Sequence, residues 1–130
     1  MAILVGVGGF AGSVARYGLS LAARHFSAGW PAGTLAANLL GCLLIGMITA
    51  LTARGEMLSP AARLVLATGF CGGFTTMSSM IYETAAMLRG GEYLYAAAYA
   101  AGSFILSMAA FVAGIMVVRM LFRMGGGVWN

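Results

Sequence analysis

Apolar residues run through the chain in four long stretches, separated by short polar connectors. The stretches cover residues 2–23, 33–53, 61–88 and 93–122. A helix that crosses a membrane needs roughly 20 apolar residues, because each residue rises about 1.5 Å through a hydrocarbon core about 30 Å thick. The stretches are continuous rather than alternating and rich in Ala, Leu, Gly and Met. That pattern predicts helices, not the alternating strands of a barrel. The connectors fit their places. Arg24 to Pro31 holds His25, Phe26 and Trp30, the aromatic and basic types found at an interface. Ser59-Pro60 reads as an N-cap followed by proline at the first helical position.

A few polar positions interrupt the apolar runs. Arg16 lies in the first stretch, where a mid-membrane charge costs about 2.5–3.5 kcal/mol on insertion scales. It is either an interface anchor or part of a wet vestibule that attracts anions. Asn38 stands alone in the second, either as glue between helices or as a donor lining a polar path. The third stretch carries Thr-Gly-Phe-Cys-Gly-Gly-Phe-Thr-Thr-Met-Ser-Ser-Met over residues 68–80. Gly72-Gly73 is expected to weaken this helix. Backbone freed there must be buried in protein or face water, and could hold a small cation; close packing through small residues is the alternative. Met77 and Met80 follow at helical spacing, with Thr76, Ser78 and Ser79 as hydroxyls. Glu83 is the acid in mid-span, read as pairing with an arginine or capping ahead of being a proton or cation site. Tyr99, Ser103 and Ser107 share one stripe of the fourth stretch and suit a seam or a pore wall.

Composition narrows the class. The 130 residues carry 3 acidic side chains, no lysine and a net charge of +4, and charged residues make up 8% of the chain. A soluble domain carries about 25%. The four stretches consume nearly the whole length, so a single membrane domain over residues 1–130 is expected. The absence of a basic segment before the first stretch argues against a cleaved signal peptide. Cys42 and Cys71 sit in apolar runs without disulfide or metal spacing, and His25 reads as a plain interfacial residue. No nucleophile–base pair, metal cluster or phosphate loop is visible, so no enzyme activity and no nucleic-acid partner are expected.

Arginines distribute weakly between the two sides of such a bundle. Arg54, Arg63, Arg119 and Arg123 fall on one side, Arg24 and Arg89 on the other. The bias mildly favours the first side as cytoplasmic. So small a bias makes insertion in both orientations credible, and two opposed copies would form an antiparallel homodimer. The polar positions are nearly all donors, which suits a small, strongly hydrated anion whose water must be replaced on entry.

Four motifs in order then carry a resemblance. They are Gly-x-x-x-Arg-Tyr at residues 12–17, Gly-Thr-x-x-x-Asn-Leu-x-Gly at 33–41, Gly-Phe-Cys-Gly-Gly-Phe-Thr-Thr at 69–76, and Gly-Ser-x-x-x-Ser at 102–107. The chain resembles the Fluc fluoride channels, also called CrcB proteins. The resemblance implies an all-α integral membrane fold of four spans per subunit, with the third helix broken in mid-membrane. It also implies an antiparallel, dual-topology homodimer in the bacterial inner membrane, with two pores that let fluoride leave the cytoplasm passively. By resemblance Asn38, Tyr99, Ser103, Ser107, Thr34, Ser79 and Arg16 lie on the fluoride pathway. Glu83 looks like the acid found shortly after the break, and the carbonyls of Gly72 and Thr75 would hold a central structural Na⁺. The family usually has two phenylalanines after the break. Here those positions are Met77 and Met80, which lack a ring quadrupole but offer polarised hydrogens beside sulfur and a flexible chain.

Two rival readings are weaker. A small multidrug-type dual-topology exporter relies on an acid in its first span, where this chain has Arg16. A non-transporting assembly subunit explains the glycines but gives Asn38, Thr75 and the Tyr99–Ser107 stripe no purpose.

Overall fold

The computed structural model describes residues 1–27, 29–53 and 57–124. Of the residues considered above, Ala28 and Arg54 lie outside them. Helix α1 spans Ala2–Arg24 and α2 spans Ala32–Ala53. The third span, Pro60–Arg89, is composite. It comprises α3 (Pro60–Arg63), a π-helical stretch (Leu64–Cys71), α4 (Gly72–Phe74), two extended residues and α5 (Met77–Arg89). Helix α6 (Tyr93–Met124) completes the bundle. The four spans, of 23, 22, 30 and 32 residues, are long and apolar enough to cross a bilayer. Ser59 caps α3 by accepting from the Ala62 N–H at 3.2 Å, with Pro60 at the first helical position. The turn into α6 uses Gly91 at φ +80°, a left-handed position that favours glycine.

Large apolar side chains face outward. Leu94 is 82% exposed and Phe10 is 74% exposed, while much of the buried core is small, with Ala37, Ala50, Cys71 and Ala96 among it. This distribution suits a lipid solvent, which covers an apolar exterior. Close backbone approach then holds the helices together. A side chain at Gly12 would strike the Phe70 carbonyl and the Phe74 N–H, and one at Gly73 would strike the Gly9 carbonyl. Helix α1 thus seats directly on the first half of the third span. Helices α2 and α6 meet in the same way, Gly46 against the Phe111 carbonyl and Gly114 against the Leu43 carbonyl.

The break in the third span falls two residues beyond the expected weak point. Gly72 and Gly73 remain helical, while Thr75 (φ −79°, ψ 154°) and Thr76 (φ −151°, ψ 115°) are extended. The reason is in the partners. Gly73 is glycine because it presses on Gly9, and the freed backbone is satisfied at Thr76 instead. The π-helical turns before the break hold one more residue per hydrogen-bonded ring than α-helix.

Candidate functional site

The break is stitched by side chains from two other helices. Asn38 on α2 is buried and bonds Thr76 from both ends of its amide. Its Nδ2 donates to the Thr76 carbonyl at 3.1 Å, and its Oδ1 accepts from the Thr76 N–H at 2.7 Å. One amide therefore replaces both hydrogen bonds that the helix loses at that residue. Thr76 in turn caps α5: its Oγ1 accepts from the Ser79 N–H at 3.1 Å and donates to the Ser79 hydroxyl at 3.1 Å. From α1, the Arg16 Nε donates to the Gly73 carbonyl at 3.2 Å, and the Ser13 hydroxyl donates to the same oxygen at 3.4 Å. Thr75 satisfies the Cys71 carbonyl through both its N–H and its hydroxyl, each at 2.9 Å. The Gly72 and Thr75 carbonyls take none of these bonds.

One turn further along, Glu83 gathers a second cluster. The Thr34 hydroxyl donates to its Oε1 and the Tyr99 hydroxyl to its Oε2, both at 2.6 Å. The expected arginine partner is replaced by two hydroxyls from α2 and α6. The reason is position: Thr34, Glu83 and Tyr99 converge in the bundle, where hydroxyls from the neighbouring helices can satisfy a carboxyl group without burying a second charge. Tyr99 is held from its other side by Trp30, whose ring meets it edge-on at 5.9 Å.

Two cavities flank the stitched break. The first, of about 620 Å³, is lined by Arg16, Arg24, Trp30, Thr34, Ser79 and Glu83 among others. The guanidinium groups of Arg16 and Arg24 outnumber the one carboxyl group, of Glu83, in this lining. The second, of about 430 Å³, is lined by Asn38, Thr75, Met77, Met80, Ser103 and Ser107 among others. Nine of the eleven residues singled out from the sequence thus divide between the two cavities; Tyr99 and Gly72 line neither. Tyr99 sits behind the first cavity, bonded to Glu83. Gly72 is exposed on the outside of the bundle, with nothing within 4 Å of its Cβ position. The Tyr99–Ser107 stripe is therefore split between two settings. Tyr99 and Ser103 are buried and Ser107 half-buried. The Ser103 hydroxyl is buried with no hydrogen-bond partner among the described residues.

Sequence reasoning missed the roles of Thr76 and Trp30. A threonine immediately before a helical run is an N-cap signal, and it could have placed the break correctly. Trp30 carried no signal beyond its interfacial position.

The chain is similar to known proteins along most of its length. The family model described as CrcB-like protein, Camphor Resistance (CrcB), matches residues 3–115. A fluoride-specific ion channel FluC of Chlorobaculum tepidum is 51% identical over 118 residues, covering 91% of this chain and 94% of that one. The protein of the same name from Prosthecochloris aestuarii is 48% identical over 117 residues, covering 90% and 91%. That of Paracoccus denitrificans is 43% identical over 120 residues, covering 91% and 94%.

Proposed function

The chain belongs to the CrcB-like family, and from that membership and the geometry of the two cavities we propose that it is a fluoride-selective ion channel of a bacterial inner membrane. Fluoride leaves the cytoplasm through it passively, which relieves toxicity. The observation that carries this reading is the group of donor side chains, Asn38, Ser103 and Ser107, that lines one cavity beside the break together with Met77 and Met80. A strongly hydrated anion needs such donors to replace its water. Asn38 adds to the wall: its amide has two N–H groups and gives one to Thr76. The second is available to an anion.

Fluoride enters past Arg24, passes Thr34, Ser79 and Arg16, and crosses the stitched break beside Asn38. It then meets Ser103 and Ser107, which replace its water one hydrogen bond at a time. Tyr99 acts from behind the wall by holding Glu83. Met77 and Met80 supply polarised hydrogens where the rest of the lining is apolar. A single protomer leaves Met77 66% exposed and Gly72 on its outer surface. A second, antiparallel copy covers them and gives two pores per dimer. A structural Na⁺ fits the same axis. The Gly72 and Thr75 carbonyls are hard oxygen donors outside the break's hydrogen bonds, and two copies would supply four of them. Such an ion would tie the two breaks together.

The test is a growth assay in a bacterium stripped of its own fluoride exporter. Expression of this chain should restore growth in fluoride that stops the parent strain. Membrane-inserted protein that gives no rescue would overturn the export reading. A multidrug-type exporter would instead protect against organic cations and leave fluoride sensitivity unchanged.

A further inference from the structure

Sulfur-bearing side chains from three helices line the second cavity. Cys42 on α2, Met77 and Met80 on α5 and Met108 on α6 all line it. Cys42 is a free thiol and is half-buried. Among the described residues no Asp, Glu, Lys, Arg or His lines this cavity, so these offer nothing to attract a hard cation by charge. One thiol and three thioethers drawn from three helices form a soft donor set, and such sets select Cu(I) and similar monovalent ions over Na⁺, Mg²⁺ or Ca²⁺. Charge supports the same choice. A monovalent ion that binds the Cys42 sulfur displaces the thiol proton to water, so the bound complex is neutral. A neutral complex avoids most of the cost of placing a charge in an apolar, lipid-embedded space. A divalent ion would leave an uncompensated charge there.

We propose that this cavity is a binding site for a soft monovalent metal ion, Cu(I) or Ag(I), held by Cys42 and Met108 together with Met77 and Met80. Binding draws the two α5 methionines onto the metal and fills the space beside Asn38 and Ser103. It therefore blocks conduction. The block rests on the fluoride-channel reading, whereas the binding does not.

The experiment uses silver nitrate, in chloride-free buffer, on the purified protein. Equilibrium dialysis with metal analysis should find one silver ion per chain, with about one proton released per ion. Cys42→Ala/Met108→Leu should weaken this binding by at least about tenfold, since the loss of merely supporting groups at metal sites already costs about 10–100-fold. Cys71→Ala should leave it unchanged, because Cys71 is buried outside the cavity lining. In liposomes, silver should stop fluoride efflux through the wild type and spare the Cys42→Ala/Met108→Leu variant, whose substitutions leave the named fluoride-pathway residues untouched. No silver bound to the wild type, or unchanged affinity in the double variant, would overturn the proposal. Silver bound to a protein that conducts no fluoride would sustain the site and sink the channel reading instead.

Discussion

The two halves of the third span are built by different rules. Residues 65–74 lie against α1 with backbone on backbone, at Gly8, Gly12, Gly69 and Gly73, and the stacked Phe70 and Phe74 rings lie 5.6 Å apart alongside. Helix α5 buries none of its residues fully and leaves Met77, Ile81 and Tyr82 exposed. Polar groups tie it to the rest of the bundle, with Glu83 bonded to α2 and α6 and its N-cap Thr76 bonded to Asn38. The first half is a scaffold fixed by shape. The second is a presenter of side chains, fixed by a handful of hydrogen bonds. In a lipid solvent this division has a physical basis. Small-residue contacts give dense, non-directional packing, while the wall of a polar path must keep its donors free to meet an ion.

The strongest way to break the comparison is to overfill the scaffold. Gly12→Val should cost at or above the top of the usual range of about 1–3 kcal/mol for overpacking, because the groups it strikes are backbone and cannot rotate away. The expected result is little or no monodisperse protein on size exclusion; a well-folded variant would mean that α1 does not seat as described. Next comes Asn38→Asp. The carboxylate loses the donor to the Thr76 carbonyl and places negative charge beside the path, so fluoride flux should vanish and stability should fall by about 1–3 kcal/mol. Wild-type flux in a folded Asn38→Asp protein would reduce Asn38 to glue.

Smaller changes should separate the two halves further. Tyr99→Phe removes one of the two hydroxyl bonds to Glu83 and should lower thermal stability by about 1 kcal/mol. Combined with Thr34→Val the losses should not add, because both hydroxyls serve one carboxyl group. Additive losses would show that the two bonds are independent. Gly72→Ala should have the least effect on the protomer, within about 0.5 kcal/mol, since its side-chain position is open. If a second copy covers that face, the same change should weaken dimerisation in a glutaraldehyde cross-linking assay. An unchanged dimer would move the interface elsewhere.

Much of this was legible in the sequence, for a specific reason. Continuous apolar runs of about 20 residues have few fates, so four spanning helices followed from hydropathy alone. The polar interruptions were legible for the same reason: Asn38, Thr34 and Ser103 stand out because hydrocarbon surrounds them. Their partners were not legible. Local propensity points to Gly72-Gly73 as the weak place, but tertiary contact reversed it. Gly73 is required by its approach to Gly9, and the break moved to where Asn38 could bond Thr76. Glu83 carried no sign of which groups would reach it, because Thr34 and Tyr99 arrive from helices 49 and 16 residues away in the chain. The π-helical stretch at Leu64–Cys71 likewise has no local signature in its residues.

The central claim is that an anion path runs past Asn38, Met77, Met80 and Ser103 and admits fluoride without the ring edges that phenylalanines would bring. Efflux from liposomes containing the purified protein tests it most directly, with fluoride and chloride measured in parallel by ion-selective electrodes. The account predicts fluoride efflux without chloride efflux, because the donors of the path compensate the strong hydration of the smaller ion. A well-folded protein that releases no fluoride, or releases chloride equally, would contradict it.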